Sequence, residues 1–116
     1  MSNEPVNNGQ GPPLGLINDL PCRPQVILRL IKNEPFFGPG TWQLLKDIHQ
    51  LDSVREACKK MRLSYSKGWK MIHNLELQTG FSIVRRRQGG VNGGFAALTE
   101  KCVQLIECYE QLEQCI

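Results

Sequence analysis

No run in the sequence approaches the roughly 18–20 consecutive apolar residues of a membrane-spanning helix. The opening residues, MSNEPVNNGQ, have neither the basic nor the apolar segment of a secretory signal. Together these absences lead us to expect a cytoplasmic protein with no membrane partner. There is no Cys-x-x-Cys pair among Cys22, Cys58, Cys102, Cys108 and Cys115, so neither a zinc site nor a disulfide framework is expected. We read the five as reduced thiols, mostly small apolar packing residues. His49 and His73 are isolated, with no Glu or Cys at metal-ligand spacing, and we expect no metal and no other cofactor. The serines cluster where helix capping explains them, the acids are scattered, and QGGVNGGF lacks the Gly-Lys-Ser/Thr ending of a phosphate-binding loop. An enzyme is therefore the least supported class.

The chain has 116 residues, 41% of them hydrophobic, which suits one domain with one modest core. Its net charge of +3 conceals a sharp division. From Arg55 to Arg87 there are nine basic residues against two acids, a block of +7, whereas residues 1–54 carry −1 and residues 99–116 carry −3. Positive charge concentrated in this way is what a nucleic-acid surface requires, although charge alone equally describes an ordinary solvated face.

All seven prolines lie within residues 1–39, and residues 1–24 mix Pro, Gly and Asn without hydrophobic periodicity, so this part is expected to be a disordered arm. The β-branched run Gln25–Lys32 predicts a strand. Leu44, Leu45 and Ile48 recur on one face of a helix expected over Thr41–Gln50. Ser53-Val-Arg-Glu56 has the form of a capping box, and Val54, Ala57, Cys58 and Met61 follow at the spacing of a buried stripe. Only Arg62 and Leu63 precede Ser64, which caps a third helix expected to end at Gln78, before Gly80. On that helix Gly68, Met71, Ile72 and Leu75 form the core face, and Tyr65, Ser66, Trp69, Lys70 and His73 the polar, aromatic and basic one. Ser82–Arg87 and Phe95–Leu98 bracket a glycine-rich loop and predict a wing-like hairpin. Thr99 caps a last helix in which Cys102, Leu105, Tyr109, Leu112 and Ile116 alternate by three and four, the spacing of a pairing seam.

Two helices joined by so short a turn set the second at a steep angle with its first turn projecting, a shape that fits the major groove of B-DNA. The expected fold is thus mainly α with a small β wing: a winged helix-turn-helix over residues 25–98 and a C-terminal dimerisation helix over 99–116. Ser64, Tyr65, Ser66 and Lys67 are expected to meet phosphate, and Trp69, Lys70 and His73 base edges or thymine methyls. In the wing, Arg85, Arg86 and Arg87 alternate across a strand and cannot all face the nucleic acid. Gly90 and its neighbouring glycines, with Asn92, would let the loop backbone approach phosphate. The expected partners are double-stranded DNA, a second copy of the chain through Cys102, Leu105, Tyr109, Leu112 and Ile116, and a separate sensor protein or ligand. Two alternatives remain open: a winged-helix adaptor whose exposed Trp69 and Tyr65 bind a protein, and a thiol sensor using Cys108 or Cys115.

The stretch FFGPGTWQLLKDIHQLDSVREACKKMRLSYSKGWKMIHNLE, followed by RRRQGGVNGGFAALTEKCVQLIECYEQLE, resembles the N-terminal DNA-binding domain of the ModE family. These are molybdate-responsive bacterial transcription regulators related to LysR-type winged helices. The resemblance spans about Val26 to Gln114 and rests on the L-S-Y-x-x-x-W and G-G-x-x-G-G-x-x-x-L-T patterns. It implies that Ser64, Tyr65, Ser66, Trp69 and Lys70 lie on a recognition helix, that the wing arginines and glycines sit beside DNA, and that a dimer reads a palindrome. The ModE family continues into a molybdate-binding region, and this sequence, which stops at Ile116, is expected to have no molybdate site.

Overall fold

A computed structural model describes residues 15–86 and 95–116 of the chain. Its elements run α1 (Gly15–Asn18), β1 (Leu30–Ile31), β2 (Pro35–Phe37), α2 (Pro39–Leu51), α3 (Val54–Met61), α4 (Tyr65–Thr79), β3 (Val84–Arg86), β4 (Ala96–Leu98) and α5 (Glu100–Gln114). Two small antiparallel sheets, β1–β2 and β3–β4, accompany the helices, so the architecture is mainly α with a β wing.

The N-terminal part departs from the sequence reading in two ways. Residues 15–18, expected in a disordered arm, form one exposed helical turn closed by the Asp19 amide on the Gly15 carbonyl at 3.1 Å. The strand expected over 25–32 shrinks to Leu30 and Ile31, because pairing needs a neighbour. Among the described residues only β2 supplies one, with Leu30 opposite Phe37 and Ile31 opposite Pro35 across an irregular register. α2 begins two residues earlier than expected because Pro39 falls in its first turn, where proline's fixed φ suits a helix and its missing N–H costs nothing.

The helix starts follow the local chemistry of their caps. Ser53, Ser64 and Thr99 each accept from the backbone N–H three residues on, at 3.1, 3.1 and 3.2 Å. Only half of the expected box forms at Ser53: the Glu56 carboxylate turns to Lys59, 3.5 Å away. Between α3 and α4 the chain reverses at Arg62, which sits in the left-handed region at φ 58. Such a turn commonly holds glycine. Its amide closes on the Cys58 and Lys59 carbonyls, ending α3.

The core gathers Leu44, Leu45 and Ile48 of α2, Val54, Ala57 and Cys58 of α3, Ile72 and Leu75 of α4, Ile83 before the wing, and Cys102, Ile106 and Tyr109 of α5, with Phe37 closing one side. α5 is thus part of the same core as the winged region, not an appendage to it. The pairing seam read from the sequence is corrected here. Cys102 and Tyr109 are fully buried within the chain's own core, Tyr109 with its ring edge on Phe37 at 4.7 Å and its hydroxyl donating to the Leu28 carbonyl at 2.7 Å. Leu105 is half-buried, and Leu112 and Ile116 are exposed. Periodicity located the apolar sector of the helix correctly, but half of it turns inward.

Two polar contacts fasten the helices. Asp47 is buried on α2, where its carboxylate accepts from Gln43 at 3.0 Å and pairs with Lys60 of α3 at 3.3 Å. On α5, Glu110 accepts from the Trp42 indole at 2.8 Å and meets Lys46 at 3.1 Å. The indole hydrogen bond, followed by Lys46, holds the Glu110 carboxyl below the usual carboxylate range. The folded chain therefore releases this proton more readily than the unfolded chain, so the stabilisation is full above the ordinary carboxylate pKa and is lost as pH falls through the lower folded value. Glu110→Gln, which keeps an acceptor for the indole, should melt below the parent at neutral pH and approach it as pH falls through the lowered folded value. A deficit that persists unchanged in acid would mean that the ionised pair is not its source.

α3 and α4 cross with their backbones close together. A Cβ placed on Gly68 would overlap the Cys58 sulfur. Alanine gains about 1 kcal/mol over glycine in helix propensity, whereas overpacking costs about 1–3 kcal/mol. Gly68→Ala is accordingly expected to lower stability, and Cys58→Ala in the same chain to recover part of the loss. Urea unfolding of the four proteins measures the coupling, and a stabilising Gly68→Ala would contradict the close approach.

Candidate nucleic-acid interface

The close crossing at Gly68 lets α4 lie across α3 with its first turn projecting. Ser64, Tyr65, Ser66, Lys67, Lys70 and His73 are all exposed on it. The Ser64 oxygen is occupied by the Lys67 amide, but its hydroxyl hydrogen stays available to donate outward. Lys67 and Lys70 stand without a carboxylate at salt-bridge distance among the described residues. The free amides of the helix start and these two ammonium groups make this end of α4 attractive to an anion.

Trp69 is placed differently from the other predicted contacts. It is half-buried, with the Tyr65 ring edge-on at 6.2 Å, the His73 ring tilted at 5.4 Å, and the Arg86 guanidinium 4.8 Å from its centroid. Its indole N–H is buried with no acceptor among the described residues. An indole enclosed in this way supplies a platform, not a free edge for reading thymine methyls. Trp69 packs against the base of the wing through Arg86.

In the wing, Val84 pairs with Leu98, Arg85 with Ala97 and Arg86 with Ala96. Successive strand residues point to opposite faces, so Arg86 lies over α4 and Arg85 points away from it. Both are exposed. Arg87, Gly90 and Asn92 lie outside the described residues, as does the rest of the glycine loop. The wing is held from below by Glu76, which accepts from the Ile83 amide at 2.9 Å, and by the Thr99 hydroxyl donating to the Ser82 carbonyl at 2.6 Å. β4 is tied to the α2–α3 turn by the Ala96 amide on the Asp52 carbonyl at 3.0 Å.

Sequence reasoning counted Arg55 as charge but missed its role. Its guanidinium lies 4.6 Å from the centre of the Tyr65 ring. The available signal was position: Arg55 is on the exposed side of α3, the helix that the short turn at Arg62 and Leu63 joins to α4. Arg55, Tyr65, Trp69 and Arg86 form a continuous stack from α3 across α4 to the wing. Of the thiols, burial pushes Cys102 up to about 12 and raises Cys58 as well, which makes both inert, while Cys22, Cys108 and Cys115 are exposed. No group of His, Cys, Asp and Glu suited to a metal occurs among the described residues.

Three recurring parts, a helix pair with a tight turn, a projecting second helix and a two-stranded hairpin beside it, define a winged helix-turn-helix. Comparison with known proteins agrees. The chain is 33% identical over 79 residues to the transcriptional regulator ModE of Haemophilus influenzae and 31% identical over 91 residues to the DNA-binding transcriptional dual regulator ModE of Escherichia coli K12, spans that cover 68% and 78% of the chain. The resemblance to ModE thus holds, and these relatives are regulators rather than enzymes. The matched spans amount to 31% and 35% of those proteins, so the chain corresponds to about a third of their length. Among solved structures, ArgP from Mycobacterium tuberculosis shares the fold at a TM-score of 0.52 and 19% identity, over 66% of this chain and 27% of that one. No family model matches the chain.

A guanidinium over an indole is worth about 0.5–1 kcal/mol at an exposed site. Arg86→Ala should therefore lower stability by about that amount in urea unfolding, whereas Arg85→Ala, which has no partner among the described residues, should leave it within error. Equal effects of the two substitutions would contradict the assignment of faces in β3.

Proposed function

We propose that the chain is a sequence-specific DNA-binding transcription regulator that acts as a homodimer, with α4 in the major groove and the wing on the backbone or minor groove. The observation that carries this reading is the exposed N-terminal turn of α4, which presents Ser64, Ser66, Lys67 and Lys70, with the wing and its Arg85 along one side of the helix. Its support is the naming of the E. coli relative as a DNA-binding regulator. Lys67, Lys70 and the wing arginines supply phosphate affinity. Tyr65 and Ser66 set position and sequence, with Trp69 beneath them as the platform. His73, further along the same face, adds a contact to phosphate. Pairing runs through Leu105, Leu112 and Ile116, the part of the α5 seam that the chain's own core leaves uncovered. Two heptads of seam are too short to hold alone, so the pairing needs further buried surface.

The adaptor reading has less to stand on than the sequence alone gave it, because Trp69 is enclosed beneath Arg86 and only Tyr65 is left as an exposed aromatic on α4. Among the described residues no helix is long and apolar enough to cross a membrane.

Each phosphate neutralised on a duplex contributes about −0.9 to the log–log slope of affinity against salt. The 116-residue chain should bind duplex DNA with a slope of several units, and Lys67→Glu with Lys70→Glu should abolish retention on random DNA while leaving the circular dichroism spectrum unchanged. A slope near zero, or intact retention by the double variant, would remove α4 from the DNA face.

A further inference from the structure

The sequence places positive charge on one segment, Arg55 to Arg87, and the wing lies on one side of α4. The structure adds a second basic element on the opposite side. At 3.6 residues per turn, Tyr65, Trp69 and His73 fall within about 80° of one another on the wing side of α4. Ser66 and Lys70 form its outer edge, and Lys67, Met71, Asn74 and Gln78 occupy the flank opposite the wing, about 180–240° around from Tyr65. That flank faces the β1–β2 hairpin. Lys32 there reaches the Gln78 carbonyl, its Nζ 3.5 Å away. Arg29 lies across Gly38, where an added Cβ would stand 3.2 Å from the Arg29 Cγ and 3.6 Å from its Nε. Between hairpin and helix runs an open groove of about 290 Å³, bounded by Arg29, Phe36, Gly38, Thr41, Met71 and Asn74.

Arg29 and Lys32 are both exposed, and among the described residues no carboxylate lies within salt-bridge distance of either. Glu34, also exposed, is the acid of the hairpin turn itself. The groove contains one further hydrogen-bonding side chain from α4, the exposed Asn74.

We propose that Arg29 and Lys32 form a second phosphate-binding flank, which grips the DNA strand on the far side of the groove from the wing. The inference rests on the reading of α4 as the groove-filling helix. A helix with its side chains is about 10–12 Å across and the major groove about 12 Å wide, so whatever projects on either side of the helix meets a sugar-phosphate wall. The wing meets one wall through Arg85. The hairpin meets the other, with Arg29 offering its fork of donors to phosphate oxygens and Lys32 a point charge. Because phosphates carry no sequence information, this flank sets register and affinity, and leaves base discrimination to α4.

The test is fluorescence anisotropy of a random duplex of about 25 base pairs with the 116-residue chain across a range of salt concentrations. Arg29→Gln with Lys32→Gln is expected to weaken binding at least about tenfold near 0.1 M salt and to flatten the log–log slope by about 1–2 units, as Arg85→Gln does for the wing at about 1 unit. Arg29→Lys with Lys32→Arg, which keeps both charges, should retain the parent slope; this separates loss of charge from any disturbance of the packing over Gly38. A parent slope that survives the double glutamine substitution while Arg85→Gln lowers it overturns the second flank and leaves the DNA reading intact. A parent chain with no salt-dependent binding overturns the DNA reading, and the flank with it.

Discussion

The arrangement of this molecule depends on how closely α3 and α4 approach at Cys58 and Gly68. A side chain at residue 68 would run into the Cys58 sulfur, so this approach of the two helices could be kept only by displacing Cys58. The turn at Arg62 is the other half of that constraint. It reverses the chain through a left-handed residue, with Leu63 the only other residue before the Ser64 cap. A short connection in a fixed conformation transmits direction, where a long loop would average it. The position of every charged group on α4 relative to the wing follows from these two points.

The same geometry decides how much of the basic block is available to a partner. Lys60 neutralises the buried Asp47, and Lys59 meets Glu56. Arg55 lies on Tyr65 and Arg86 on Trp69. A count of charge along the sequence therefore overstates the free cationic surface of the segment, which among the described residues comes down to Arg62, Lys67, Lys70 and Arg85. The removal of Lys60 is also structural necessity: a carboxylate as enclosed as that of Asp47 requires a partner, and losing that partner costs far more than the pair contributes.

What the sequence made legible was local chemistry. Ser53, Ser64, Thr99 and Gly80 mark helix ends because a cap is decided by a few consecutive residues, and all four hold in the structure. The core faces of α3 and α4 were legible for the same reason, since Ala57, Cys58, Ile72 and Leu75 declare a helical period. What failed was anything set by a distant surface. The strand at Gln25–Lys32 has the right composition, but only Leu30 and Ile31 find a partner. The α5 seam has the right spacing, yet nothing in the spacing tells that Phe37 and the Leu28 carbonyl, some seventy to eighty positions earlier, come to meet Tyr109. Trp69 shows the intermediate case: its wheel position ruled out the deep core, but only the fold brings Arg86 over it.

That stack has a consequence for how the interface is organised. Arg55, Tyr65, Trp69 and Arg86 connect three elements through aromatic and guanidinium faces; the rings have few rotatable bonds and lose little entropy when fixed, and the two arginines give up their rotamer freedom on folding, before any partner arrives. A wing joined to α4 only by its two strands would have to be ordered upon each binding event, at a cost subtracted from affinity. With Arg86 seated on the indole, that ordering is largely done on folding, together with the Glu76 bond to the Ile83 amide and the Thr99 bond to the Ser82 carbonyl. The side chains left to search for a partner are then the short list at the tip and edges of α4. An arginine seated on its own molecule can in this way contribute to what the neighbouring residues bind.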